Sequence, residues 1–92
     1  MANIVELIQG LKVQYLNTCN NISLLNSQIR EIEKIKRGTK NKVPAKFRKT
    51  YSTEPYDRYI TELKRDRAYQ EILKRRIELK IDTLAEFFNR FV

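Results

Sequence analysis

The sequence predicts an all-α protein that folds as a long antiparallel helical hairpin of the coiled-coil type. Its 92 residues include only two Gly and two Pro, so we expect few turns and long elements. Apolar side chains also recur at alternating spacings of three and four along two stretches, which is typical of helices that bury one seam. Because such a hairpin has a thin core, we expect dimerisation into a four-helix bundle. A monomer whose first helix breaks near residues 17–21, giving three shorter helices, is the alternative.

The first helix is predicted over residues 3–37. Asn3 is a suitable N-cap, and Glu6 follows it at the spacing of a capping box. Lys36 and Arg37 favour a helix C-terminus because cations stabilise the negative end of the helix dipole. Gly38 is typical of the residue that follows such an end. The predicted seam consists of Ile8, Leu11, Tyr15, Thr18, Ile22, Leu25, Ile29 and Ile32.

A loop is predicted over residues 38–54, followed by a second helix over residues 55–91. Pro44 disfavours continued helix in the loop, whereas Pro55 and Asp57 suit the first turn of the second helix. The seam of this helix is apolar at both ends and polar in its middle. Its predicted members are Ile60, Leu63, Arg67, Gln70, Lys74, Ile77, Ile81, Leu84, Phe88 and Phe91.

Folding the chain back at the loop places residue i of the first helix opposite residue 94 minus i of the second. The polar middle of the first helix, residues 17–21, then lies near the polar middle of the second. An arbitrary pairing would not align these two stretches, so their agreement supports the antiparallel hairpin. Polar layers of this kind often fix the register of a coiled coil.

The composition argues against catalysis. The chain has no histidine, which removes the commonest general base and metal ligand, and one cysteine, Cys19, cannot build a structural zinc site. We therefore expect a protein without enzymatic activity, cofactor or metal. A single cysteine, with no signal peptide and no apolar run of membrane-spanning length, predicts a cytoplasmic protein.

The net charge of +8 is concentrated in one part of the chain. Residues 34–53 contain eight Lys or Arg and no acid, and concentrated charge of this kind indicates a docking surface. Cations interleaved with aromatic rings suit nucleic acid, since the cations neutralise phosphates and the rings stack on bases. The predicted contact residues are Lys36, Arg37, Lys40, Lys42, Lys46, Phe47, Arg48, Lys49 and Tyr51. A solvated or protein-facing loop and an anionic membrane surface are the alternatives.

Further features leave a second class of function open. Both chain ends carry more apolar surface than one seam can bury, and tyrosines surround the start of the second helix. The protein would then be an adaptor or inhibitor, with its basic loop meeting an acidic partner. The predicted oligomer or partner interface is Ile4, Leu7, Ile8, Leu11, Leu84, Phe87, Phe88 and Phe91. Further cations on the second helix alternate with acids, which is also typical of a solvated face with helical ion pairs: Lys64, Arg65, Arg67, Lys74, Arg75 and Arg76.

Overall fold

Two long antiparallel helices form the hairpin seen in a computed structural model, which describes residues 3–48 and 50–91 and only the backbone of Phe91. Helix α1 spans Ile4–Lys42 and helix α2 spans Glu54–Phe91. A single 3-10 turn, Ala45–Phe47, lies between them. The rod measures 72 × 19 × 14 Å. The predicted all-α hairpin is confirmed, and because α1 runs unbroken through residues 17–21, the three-helix alternative is excluded.

Helix α1 begins as predicted and ends later than predicted. The Asn3 side-chain oxygen accepts a hydrogen bond from the Glu6 amide at 2.9 Å. The predicted end at Arg37 is wrong: Gly38 does not take a positive φ, and the helix continues to Lys42. The residue that stops it is Pro44, because a residue that precedes proline is driven out of the helical region. Val43 accordingly has φ −75° and ψ 129°.

Helix α2 begins at Glu54, one residue before the predicted start. The Ser52 hydroxyl accepts a hydrogen bond from the Glu54 amide at 3.2 Å, and the Thr53 carbonyl accepts one from the Asp57 amide at 3.0 Å. Pro55 lies in the first turn, where its missing amide hydrogen is harmless. The segment between the helices therefore covers residues 43–53, and part of the predicted loop is helical.

The seam between the helices follows the predicted heptads. All eight predicted positions of α1 are buried or half-buried, and so are the α2 positions from Ile60 to Phe88. The most buried part is a cluster of Ile29, Ile60 and Leu63, with exposed fractions of 4–7%. It lies in the half of the rod nearest to the 3-10 turn.

Contacts across the seam fix the register. Hydrogen bonds join Tyr15 to Glu78 and Arg67 to Asn26, at 3.2 and 2.9 Å. In both pairs the residue numbers add up to 93, one less than the predicted value of 94. The Asn21 amide also donates to the Gln70 side-chain oxygen at 3.4 Å, so the polar middles of the two helices meet as predicted.

Candidate functional site

Most of the predicted cationic side chains gather at one end of the rod, which we call the basic tip and define as residues 36–48. The late end of α1 places Arg37, Lys40 and Lys42 on the last helical turns, while Lys46 belongs to the 3-10 turn. The tip cations on α1 are therefore held on regular helix and not on a flexible loop. Lys49, also predicted as a contact residue, lies outside the described residues.

Four cations of the basic tip face solvent. Arg37, Lys40, Lys42 and Lys46 are exposed. Within residues 3–48 and 50–91 the ion pairs involve other cations, and none of these four takes part in one. Their charge is thus available to an external anion.

Lys36 differs from its neighbours because it forms an ion pair with Asp57 across the hairpin. The hydrogen bond from Lys36, followed by the one from the Thr53 hydroxyl at 2.9 Å, lowers the pKa of Asp57 below its usual value. The nearby charge of Lys40 acts in the same direction. Lys36 therefore stabilises the tip and is already neutralised within the protein.

Arg48 is also engaged by the fold. Its Nε donates a hydrogen bond to the Val43 carbonyl at 3.1 Å, and its Nη2 donates to the Asn41 carbonyl at 3.5 Å. Carbonyls at the end of a helix lack intrahelical partners, so a folded-back guanidinium satisfies them. The side chain itself remains exposed, and it holds the 3-10 turn against the end of α1.

The two predicted stacking residues occupy different environments. The Phe47 ring is 52% exposed, and the Lys46 ammonium lies 4.9 Å from its centroid. Tyr51 is half-buried, and burial followed by the neighbouring Tyr56 raises the pKa of its hydroxyl. Phe47 is thus presented to a ligand, whereas Tyr51 belongs to the packing of the tip.

A polar groove on one side of the rod contains further cations, which lie outside the basic stretch at residues 34–53. It has a volume of about 440 Å³ and is lined by Asn26, Ile29, Arg30, Glu33, Lys64 and Arg67. Arg30 lies one heptad before Arg37, so it continues the line of the tip along the same side of α1. Helical spacing between Arg30 and Arg37 was the signal that could have revealed this extension.

The remaining cations of α2 are mostly engaged within the protein. Arg65 pairs with Glu62 and Arg75 pairs with Glu78, each at i,i+3 spacing. The Lys74 ammonium lies 5.7 Å from the centroid of the Tyr15 ring. These contacts favour the solvated, ion-paired interpretation of the α2 cations. Lys64 and Arg76 are exposed and form no ion pair among the described residues.

The residues of the predicted apolar interface fall into two groups, one exposed and one half-buried. Leu7 and Phe87 are 50% and 55% exposed. The others lie half-buried along the seam, apart from Phe91, whose side chain is outside the described residues: Ile4, Ile8, Leu11, Leu84 and Phe88. Exposed apolar side chains also occur in the middle of the rod, at Leu16, Leu24 and Ile72, so the surplus is not confined to the ends.

Other kinds of site find little support among the described residues. No group of three His, Cys, Asp or Glu side chains there is arranged to hold a metal ion, and Cys19 is a half-buried free thiol. Neither helix has a described stretch long and apolar enough to cross a membrane. Comparisons with protein-family models, curated proteins and solved structures find no match to this chain.

Proposed function

We propose that this chain is a non-catalytic, intracellular binding protein that contacts the phosphate backbone of nucleic acid through the basic tip. The observation that carries this proposal is a set of four exposed cations that form no ion pair among the described residues: Arg37, Lys40, Lys42 and Lys46. They account for half of the net charge of +8.

The arrangement of these cations favours an extended anion over a small one. A small ligand needs a concave pocket in which a few polar groups converge. Arg37, Lys40 and Lys42 are instead exposed along the last turns of α1, and Lys46 is exposed on the 3-10 turn that follows. Such a surface suits a chain of phosphates, where each contact releases a counterion and base identity matters little. The exposed Phe47 ring adds a platform for an unpaired base.

Fluorescence anisotropy across a salt series tests the proposal. Labelled duplex and single-stranded oligonucleotides are titrated with wild-type protein and with a triple variant, Lys40→Gln, Lys42→Gln and Lys46→Gln. We expect the slope of log affinity against log salt for the duplex to become shallower by about 2.7 in the variant, since each phosphate contact contributes about 0.9.

A second triple variant provides the matched control. Lys12→Gln, Arg76→Gln and Arg90→Gln remove the same number of charges from exposed positions in the rest of the rod. This control should keep the wild-type slope within about 0.5, because long-range effects of distant charges are screened. Equal losses in the two variants would assign binding to net charge alone, and absence of binding by the wild type at low salt would contradict the proposal.

A protein-binding adaptor is the second candidate function. It is favoured by exposed apolar side chains such as Val5, Leu7 and Leu16, which are 48–61% exposed. The basic tip would then accelerate association with an acidic partner. Binding to such a partner would vary little with salt and would be lost in Leu7→Ser or Leu16→Ser, while the tip triple variant would retain it.

A further inference from the structure

One long side of the hairpin carries most of the exposed apolar surface near the seam. It contains two rows of residues at seven-residue spacing, and we call it the Leu73 face. The α1 row is Leu7, Gln14, Asn21, Gln28 and Ile35, and the α2 row is Tyr59, Asp66, Leu73, Lys80 and Phe87. Both rows lie on the same side, because Asn21 of the α1 row and Asp66 of the α2 row line one groove. A second groove is lined by Lys80 of the α2 row and by the seam residue Leu11 of α1. The second groove is almost entirely apolar and has a volume of about 360 Å³.

The opposite side, which we call the Lys64 face, has a different chemistry. Its residues at the equivalent heptad positions include the charged side chains Lys12, Glu33, Lys40, Lys64, Glu71 and Glu78. Charged residues are depleted in the cores of protein interfaces. The four outermost residues of the Leu73 face, in contrast, are apolar or aromatic and 45–55% exposed: Leu7, Ile35, Tyr59 and Phe87.

The α2 row is complementary to itself when reversed about Leu73. Asp66 and Lys80 lie at equal distances on either side of Leu73, and so do Tyr59 and Phe87. When a second α2 packs antiparallel with its own Leu73 at the same level, each acid faces a base and each aromatic ring faces another ring. Antiparallel packing of this kind is what a two-fold axis produces, since an isologous interface uses the same surface twice.

The α1 row has the same property about Asn21. Gln14 and Gln28 are equally distant from Asn21, and so are the apolar Leu7 and Ile35. Asn21 and Leu73 also lie at nearly the same level of the hairpin, because the register in which facing residue numbers add up to 93 places Asn21 opposite residue 72. A single two-fold axis through this level therefore brings complementary residues of the two copies together in both the α1 row and the α2 row.

We infer that a second copy of this chain packs on the Leu73 face, with the two hairpins antiparallel and the two-fold axis at the level of Asn21 and Leu73. Leu73 lies at the middle of α2, so the rods overlap along nearly their whole length. A face of 72 × 19 Å exceeds the roughly 800 Å² per partner of a standard interface. Asp66 and Lys80 form two inter-chain ion pairs across the axis.

This arrangement places the two basic tips at opposite ends of the dimer. The inference does not depend on what the tips bind and goes beyond the proposed function. If both hold, one dimer carries two tips separated by about the 72 Å length of the rod. The Lys64 face and its cationic groove remain uncovered.

Sedimentation equilibrium with charge-reversed variants tests the assignment. Wild type is expected to sediment with twice the mass of one chain. Asp66→Lys or Lys80→Glu alone turns two attractive pairs into two repulsive ones and should weaken the dimer by about ten-fold or more at low salt. The double variant restores opposite charges across the axis and should recover most of that loss. Lys64→Glu makes the same exchange on the opposite face and should leave dimerisation unchanged.

Cysteine cross-linking tests the register in a Cys19→Ser background. Leu73→Cys places the thiols of the two copies beside the axis, so oxidation should yield a covalent dimer. Tyr59→Cys alone should give no such product, whereas it should cross-link with Phe87→Cys on mixing. The inference would be overturned if the wild type were monomeric, or if the single charge reversals left dimer affinity unchanged. It would also be overturned if the double variant did not recover dimer affinity, or if Tyr59→Cys cross-linked with itself. A folded hairpin in every variant is verified by circular dichroism.

Discussion

Lys36 and Lys40 lie one helical turn apart on α1, yet we expect them to contribute differently to anion binding. Lys40 is exposed and belongs to no ion pair among the described residues, whereas Lys36 is paired with Asp57. Lys40→Gln removes one available phosphate contact. At about 0.1 M salt this should lower duplex affinity by about eight-fold and make the salt slope shallower by about 0.9.

The comparison variant is the double substitution Lys36→Gln and Asp57→Asn, which removes the ion pair without changing net charge. Exposed ion pairs contribute only about 0–1 kcal/mol to stability, so the hairpin should remain folded. Its affinity should stay within about two-fold of wild type, and its salt slope should be unchanged. Anisotropy titrations at four or more salt concentrations measure both quantities. A loss of affinity in the double variant equal to that of Lys40→Gln would refute the view that Lys36 is neutralised within the protein.

Four further variants test the core, the ion pair and the stacking ring. Leu63→Ala deletes three carbons from a side chain that is 5% exposed and should lower the free energy of unfolding by about 2.4 kcal/mol, whereas Leu16→Ala, at 61% exposed, should cost less than about 1 kcal/mol in urea denaturation. The folded-state pKa of Asp57 is lowered, so its contribution to stability is complete above the usual carboxyl value and disappears as pH falls through the folded-state value. Asp57→Asn should therefore reduce the decline in melting temperature between about pH 5 and pH 2, and an unchanged decline would contradict this. Phe47→Leu should weaken single-strand binding by about five-fold or more and duplex binding by less than about two-fold, and equal losses would argue against stacking.

The heptad pattern was sufficient to predict the fold because burial in a two-helix rod depends almost entirely on helical spacing. The predicted seam positions, Thr18 included, are buried or half-buried wherever the side chain is described. Thr18 fits the seam because its hydroxyl donates to the Gln14 carbonyl at 2.8 Å, within its own helix. Because this hydrogen bond lies within the helix, burying a polar residue in the seam costs little free energy.

The end of α1 could not be predicted from local propensity alone. Gly38 is the stronger stop signal in isolation, but glycine also tolerates helical φ and costs only about 1 kcal/mol there. Continuing to Lys42 brings Arg48 back onto the carbonyls of Asn41 and Val43, a tertiary contact without a sequence pattern.

The sequence was sufficient to predict which cations belong to the candidate site. It was not sufficient to predict which of these cations are available to bind an external anion. In the sequence, Lys36, Lys40 and Arg48 lie in one basic stretch, and nothing there distinguishes them as anion contacts. Only the folded hairpin distinguishes them, because the partner of Lys36 is on the other helix and that of Arg48 is the α1 C-terminus. The symmetry of the Leu73 face was present in the sequence, but it becomes meaningful only when the register places Asn21 and Leu73 at nearly the same level.

Mapping the contact by NMR tests the central claim most directly. Amide resonances of the isotope-labelled protein are followed while an unlabelled duplex oligonucleotide is added at low salt. We predict the largest shifts among residues 37–48, smaller shifts around Arg30 and Lys64, and the smallest in the opposite half of the rod, near residues 8–16 and 77–86. Shifts confined to that opposite half, or none at saturating duplex, would contradict binding by the basic tip.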